Sequence, residues 1–221
     1  MLGRLACLAV LLLLGQQVLA QTQTNAPVYC NNATSITNFT LSDLSGVWYE
    51  VARNPATLIS VLCTQVNITS MPNNIMNIQT TYSNSPSYPW VNVTETANVT
   101  STISQYGFNV TYYLYNTPSQ TTLTFKVLAL NPSTNAYICG YSNGSDPSTF
   151  FDVILSRQRI LNSTTLTAYE NGGPPNFVGF GSSVMTPISQ TQSCYANGAT
   201  STVSFMGVVL ALLYAMFHLV Q

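Results

Sequence analysis

The chain has 221 residues, only 5% of them charged, and a formal net charge of −1. Its few Lys and Arg residues form no basic patch, which argues against nucleic acid as a partner. With 46% hydrophobic residues and so little charge, the surface needs another source of solubility.

Residues 1–20 carry Arg4, an apolar run over 5–14 and then Val18-Leu19-Ala20. This is the pattern of a secretory signal peptide cut after Ala20. The run is too short to span a bilayer. The mature chain, about residues 21–197, is the size of one domain with a real core.

Strand-like runs follow at 47–54, 64–69, 75–83, 88–99, 108–116, 121–130, 136–142 and 150–157. They are rich in Thr, Val, Tyr, Phe and Ile, and Asn, Pro, Ser and Gly divide them. Eight short strands in succession predict an up-and-down barrel or a sandwich. A short helix is predicted through Tyr169, capped at Asn162-Ser163-Thr164 and ended by Gly172-Gly173-Pro174-Pro175. Residues 176–193 read as an irregular segment returning to the strands.

Eight Asn-x-Ser/Thr sequons stand at Asn32, Asn38, Asn67, Asn92, Asn98, Asn109, Asn143 and Asn162. Glycans on them would supply the missing solubility. A sequon must face solvent, so it also sets the parity of its strand. Asn109 outward turns Phe108, Val110, Tyr112 and Leu114 inward, and Asn67 outward turns Val66 and Ile68 inward. Lys126 marks an outer face and sends Leu123, Phe125 and Val127 inward. Asn92 and Asn98 turn Val91, Val93, Ala97 and also Glu95 inward, and Trp90 outward, unless a bulge near Pro89 changes the parity. This inner set favours a barrel with its own interior, able to hold packed side chains or one small ligand.

Cys7 leaves with the signal peptide, and Cys30, Cys63, Cys139 and Cys194 remain. An even set suits disulfides in an oxidising compartment, with three pairings open. No CxxC pair or nearby histidine supports a zinc site.

The end of the chain has small residues at Asn197-Gly198-Ala199, a polar stretch over 200–204 and an apolar run over 205–220. This is the pattern of a GPI-anchor signal. No Lys or Arg follows, as one would beyond a spanning helix, the alternative reading. Asn197 is the first candidate for attachment and Gly198 the second, with 198–221 removed as propeptide. The only histidine, His218, lies in that tail, so no histidine-dependent triad can form, and the acidic residues are too scattered to pair as acid and base. The chain is therefore read as no enzyme, without cofactor or metal.

Several features together resemble the lipocalin family: Gly46-Val47-Trp48-Tyr49-Glu50-Val51-Ala52 after Cys30 and Asn38-Phe39, then Pro55 and Cys63, Val127-Leu128-Ala129, Cys139, Ile154-Leu155-Ser156-Arg157, and a late Cys194. Within the family the resemblance is to the apolipoprotein D, Lazarillo and bilin-binding-protein type. It implies an all-β fold, an eight-stranded antiparallel up-and-down barrel with a short C-terminal helix or irregular flank. It implies that Trp48 plugs the closed end under Arg157, with Gly46 giving the chain room to turn. It implies disulfides Cys30–Cys139 and Cys63–Cys194. The chain departs from the family pattern at Leu130-Asn131-Pro132, where a Thr-Asp-Tyr-like motif is expected.

Two functions follow from the resemblance. The first is a carrier on the outer face of the plasma membrane that binds a fatty acid, retinoid, sterol or bilin between Val66, Ile68, Phe108, Val110, Tyr112, Leu114, Leu123, Phe125 and Val127. The same residues could instead fill a solid core. The second is a cell-surface recognition glycoprotein that meets a protein partner through loops at 55–62, 71–74 and 82–89.

Overall fold

The computed structural model describes residues 26–56, 62–83, 90–113, 120–191 and 194, with 90–96 and 120 described by their backbone alone. The stretch expected to be a signal peptide, Leu114, Asn197, Gly198 and the apolar tail lie outside these residues, as do the loop residues 57–61 and 84–89.

A 3-10 turn, Leu41–Leu44, leads into β1 (Gly46–Asn54). There follow β2 (Leu62–Met71), β3 (Ile75–Ser83), β4 (Trp90–Val99), β5 (Phe108–Tyr113), β6 (Gln120–Asn131), β7 (Asn135–Tyr141) and β8 (Phe151–Ser156). A second 3-10 turn (Pro147–Thr149) before β8, one helix, α1 (Ser163–Glu170), and a two-residue strand, β9 (Thr186–Pro187), complete the described elements. Each of the first eight strands runs antiparallel to the next, and β1 pairs with both β2 and β8, closing the sheet on itself. This closed barrel with one short helix is the fold class expected from the sequence.

Local chemistry sets the turns. Asn73 and Asn74 end the β2–β3 hairpin at φ 62° and 59°, a left-handed backbone that Asn tolerates better than most residues. In the β6–β7 turn the Asn131 side chain accepts from Ser133 N at 3.0 Å. Asn162 caps α1 by accepting from Thr165 N at 2.8 Å.

Two apolar clusters form on the two faces of the wall. The inner one holds Trp48, Ile68, Met76, Ile78, Val110, Ile138 and Leu155 among others. The outer one gathers Val51, Ala52, Leu128, Tyr137, Cys139 and Ile154 under Phe177, Phe180 and Met185, with Leu166 and Tyr169 of α1 packed against it. Two bulges make this second core possible. The register shifts between Glu50 and Ala52 in β1 and between Val127 and Ala129 in β6. Each inserts one residue, so two neighbours turn outward together: Val51 with Ala52, and Leu128 with Ala129. β4, by contrast, pairs with β3 without a shift from Trp90 to Asn98, so no bulge interrupts it there.

The first four residues of β1 pair with β2, and then the two strands part. The C-terminal segment enters the gap. β9 pairs with Ala52 and Arg53 of β1. Next to it Ile188 N donates to Val51 O at 2.9 Å, and Cys63 N of β2 donates to Ser189 O at 2.8 Å. The Gln190 side-chain amide then bridges both strands, donating to Glu50 O at 3.0 Å and Thr64 O at 2.8 Å.

Candidate functional site

The floor of the barrel is built on Trp48, which is fully buried and donates its indole N–H to Leu44 O at 2.7 Å. The Arg157 guanidinium lies over the ring, 3.4 Å from its centroid. It donates to the carbonyls of Val47 at 2.7 Å, Ser45 at 2.8 Å and Pro132 at 2.8 Å. Stacking of this kind is worth about 0.5–2 kcal/mol, and the three bonds tie the start of β1 to the β6–β7 turn. Gly46 adopts φ +97°, and a Cβ there would meet Arg157 Nη1 at 3.2 Å. The glycine thus serves both the turn into the strand and the close approach of the guanidinium.

Above the floor stand the residues expected inside. Ile68, Phe108, Val110 and Val127 belong to the inner cluster, with Val66, Tyr112 and Phe125 packed against it. Leu123 is buried opposite Val110. Aromatic rings climb one wall. Phe108 and Phe125 stack at 6.2 Å between centroids, and Phe125 meets Phe151 edge-on at 5.4 Å. Phe151 was not singled out from the sequence, although the alternation of β8 places it on the same face as Leu155.

The wall formed by β1, β2 and β3 is different. Glu50 stands opposite Leu155, and Arg53 opposite Val153, both inner positions of β8. Their side chains meet through two bonds, Arg53 Nε to Glu50 Oε1 at 2.5 Å and Nη2 to Oε2 at 2.6 Å. Strict alternation would send residues 50 and 53 to opposite faces, so the bulge at Val51 and Ala52 is what unites them. On β3, Tyr82 continues the inner row of Met76 and Ile78 away from the β2–β3 turn. It is 3% exposed, its hydroxyl has no hydrogen-bond partner, and burial pushes its pKa up to about 12. The register shift in β2 sets Cys63 and Thr64 together against Tyr82. Thr64, two residues before Val66, is 4% exposed and its hydroxyl is likewise without a partner. Sequence reasoning missed this polar side: β1 and β3 carry neither a sequon nor Lys126 to set their parity, and although Asn67 sets that of β2, Thr64 was not followed as part of the inner row.

Two disulfides form, Cys30–Cys139, with Cα atoms 5.8 Å apart, and Cys63–Cys194, 5.5 Å apart. The first fastens the leader to the outside of β7, and the second fastens the C-terminal segment beside the β1–β2 gap. Lys126 faces outward, but it is buried under the leader. Its ammonium donates to Asn31 O at 2.8 Å and Ala33 O at 2.7 Å. Of the sequons, Asn32, Asn38, Asn143 and Asn162 are exposed, and Asn67, Asn98 and Asn109 are partly exposed. Asn92 falls in the stretch described by backbone alone. Among the described residues no cluster of His, Cys, Asp and Glu could hold a metal ion, and no helix is long and apolar enough to cross a membrane.

The lipocalin-like domain family matches residues 39–171. No curated protein sequence matches the chain. Among solved structures, insecticyanin from the tobacco hornworm Manduca sexta superposes with a TM-score of 0.54 at 14% identity, over 76% of this chain and 89% of that one. The tryptamine complex of the amine-binding protein of Rhodnius prolixus gives 0.53 at 12% identity, over 72% and 85%. The cockroach allergen Per a 4 gives 0.50 at 18% identity, over 72% and 93%. At these identities the likeness is one of fold.

Proposed function

Because the chain belongs to the lipocalin family, we propose that it holds one small apolar molecule inside the barrel. It does so at the outer face of the plasma membrane, tethered there by a GPI anchor. The observation that carries this reading is the pair of buried hydroxyls without partners, Tyr82 and Thr64, on the inner wall beside the apolar cluster. A buried polar group left unbonded costs about 1–3 kcal/mol, so a barrel built only to be solid would have an aliphatic residue there. The Rhodnius structure, with tryptamine bound to the same fold, supports a binding role. The two disulfides and the sequons support passage through an oxidising secretory compartment. The apolar C-terminal run supports the tether. With its floor closed by Trp48, the protein binds and releases its ligand at the opposite end and performs no chemistry on it.

The test is a tryptophan-fluorescence titration of the full chain, purified from a secreting eukaryotic host, with retinol. Trp48 lies at the barrel floor, so one-site saturable quenching is expected. Folded protein that gives no saturable response to retinol, a sterol or a bilin would overturn the carrier reading and return attention to the glycosylated surface.

A further inference from the structure

We propose that Tyr82 and Thr64 form the polar end of the ligand site and select an apolar molecule whose head is a single uncharged hydroxyl or carbonyl, in preference to the same molecule ending in a carboxylate. The proposal rests on the carrier reading above and names its ligand class.

The two hydroxyls sit on neighbouring strands at a β-bulge, where Cys63 and Thr64 together oppose Tyr82. Both side chains are more than nine-tenths buried and both lack a protein partner. A hydroxyl both donates and accepts, so the pair can satisfy a ligand hydroxyl or carbonyl in either sense. The aromatic wall of Phe108, Phe125 and Phe151 lies on the far strands and suits a flat apolar body.

Charge decides the rest. A carboxylate taken into this interior needs a counter-charge, since an isolated buried ion is far costlier than a neutral polar group. The mature chain has four cations, and each is engaged elsewhere. Arg53 is held by both oxygens of Glu50. Arg157 lies over Trp48 at the floor. Lys126 is held outside by Asn31 O and Ala33 O. Arg159 stacks on Tyr49 and donates to Gln65 and Gln190, also outside. Glu50 on the same wall is itself paired with Arg53. An anionic head would therefore meet no free cation.

The experiment compares retinol, retinal, retinoic acid and retinylamine, one apolar body with four heads, in fluorescence titrations of the full chain. One hydrogen bond to a buried hydroxyl corresponds to about tenfold in affinity. Retinol and retinal are expected to bind at least about tenfold more tightly than retinoic acid. Tyr82→Phe should reduce that preference to about threefold or less by weakening retinol and retinal more than retinoic acid. It should melt no lower than the parent, because the hydroxyl it removes has no partner. Thr64→Val, nearly isosteric, should shift the preference in the same direction. Equal binding of all four heads, tighter binding of retinoic acid or retinylamine, or an unchanged preference in both variants overturns the subsite while the carrier reading stands. Failure of all four to saturate the parent protein removes the carrier reading and the subsite with it.

Discussion

Asp152 shows how much one residue on the outer wall can determine. It lies on β8 opposite Cys139, is buried, and has Gly179 laid directly over it, so closely that a Cβ on that glycine would collide with its carboxylate. Asn54 donates one bond to it at 3.3 Å, and its other oxygen has no partner. Burial raises its pKa to about 7 against the lowering effect of Asn54. The folded chain therefore keeps a proton that the unfolded chain releases near the ordinary carboxyl value of 3.8. The stability this supplies is complete below that value and is lost as pH rises through about 7. The melting temperature should fall over that window, and Asp152→Asn should remove this part of the fall. At about 1.4 kcal/mol per unit, the variant should gain roughly 2–4 kcal/mol at pH 8, measurable by thermal or urea melts. Legibility at this scale was uneven. Trp48 and Arg157 could be read because a glycine-x-tryptophan and a late arginine form a recognisable pattern. Asp152, Thr64, Tyr82 and the Glu50–Arg53 pair could not, because their environment comes from residues distant in the chain.

At the scale of elements, the eight strands were legible because each is a run of β-formers between strong turn signals, and the helix because Asn162 announces it. The bulges in β1 and β6 were not. They obey no local motif, and they appear only when two strands are laid side by side. β9 escaped for a similar reason: two residues, Thr186 and Pro187, are a strand only because β1 offers an edge where β2 has left it. That wedge depends on Gln190, whose amide bonds to both parted strands. Gln190→Leu should loosen the seam, leaving the carbonyls of Glu50 and Thr64 without this donor at a cost of about 1–3 kcal/mol. The check is native-state hydrogen exchange. Faster exchange confined to the Val51 O–Ile188 N and Ser189 O–Cys63 N bonds is expected, with the remaining strands unchanged. Exchange that rises uniformly around the barrel would mean that the wedge is not a separate unit.

Across the whole molecule, polarity and charge have been separated. The outer cluster, α1 and the C-terminal segment cover one side of the barrel, while Asn67, Asn98 and Asn109 stand partly exposed on β2, β4 and β5, apart from the outer cluster. With only 5% charged residues in the chain, carbohydrate at those strands would keep that side in solution. Enzymatic removal of N-glycans from the folded protein should promote association at neutral pH, seen by light scattering, while the melting temperature changes little. A deglycosylated protein that stays monodisperse would show that the bare wall is soluble by itself. Closure of the barrel has a consequence for its birth. The first strand takes the last as its neighbour, so Tyr49 waits for Ser156, and Cys30 and Cys63 wait for partners 109 and 131 residues further on. Contacts so distant in sequence come late and slowly. While the ribosome is still adding residues, β1 has one raw edge and the thiols of Cys30 and Cys63 stand unpaired, and only a finished chain can bring the ring together.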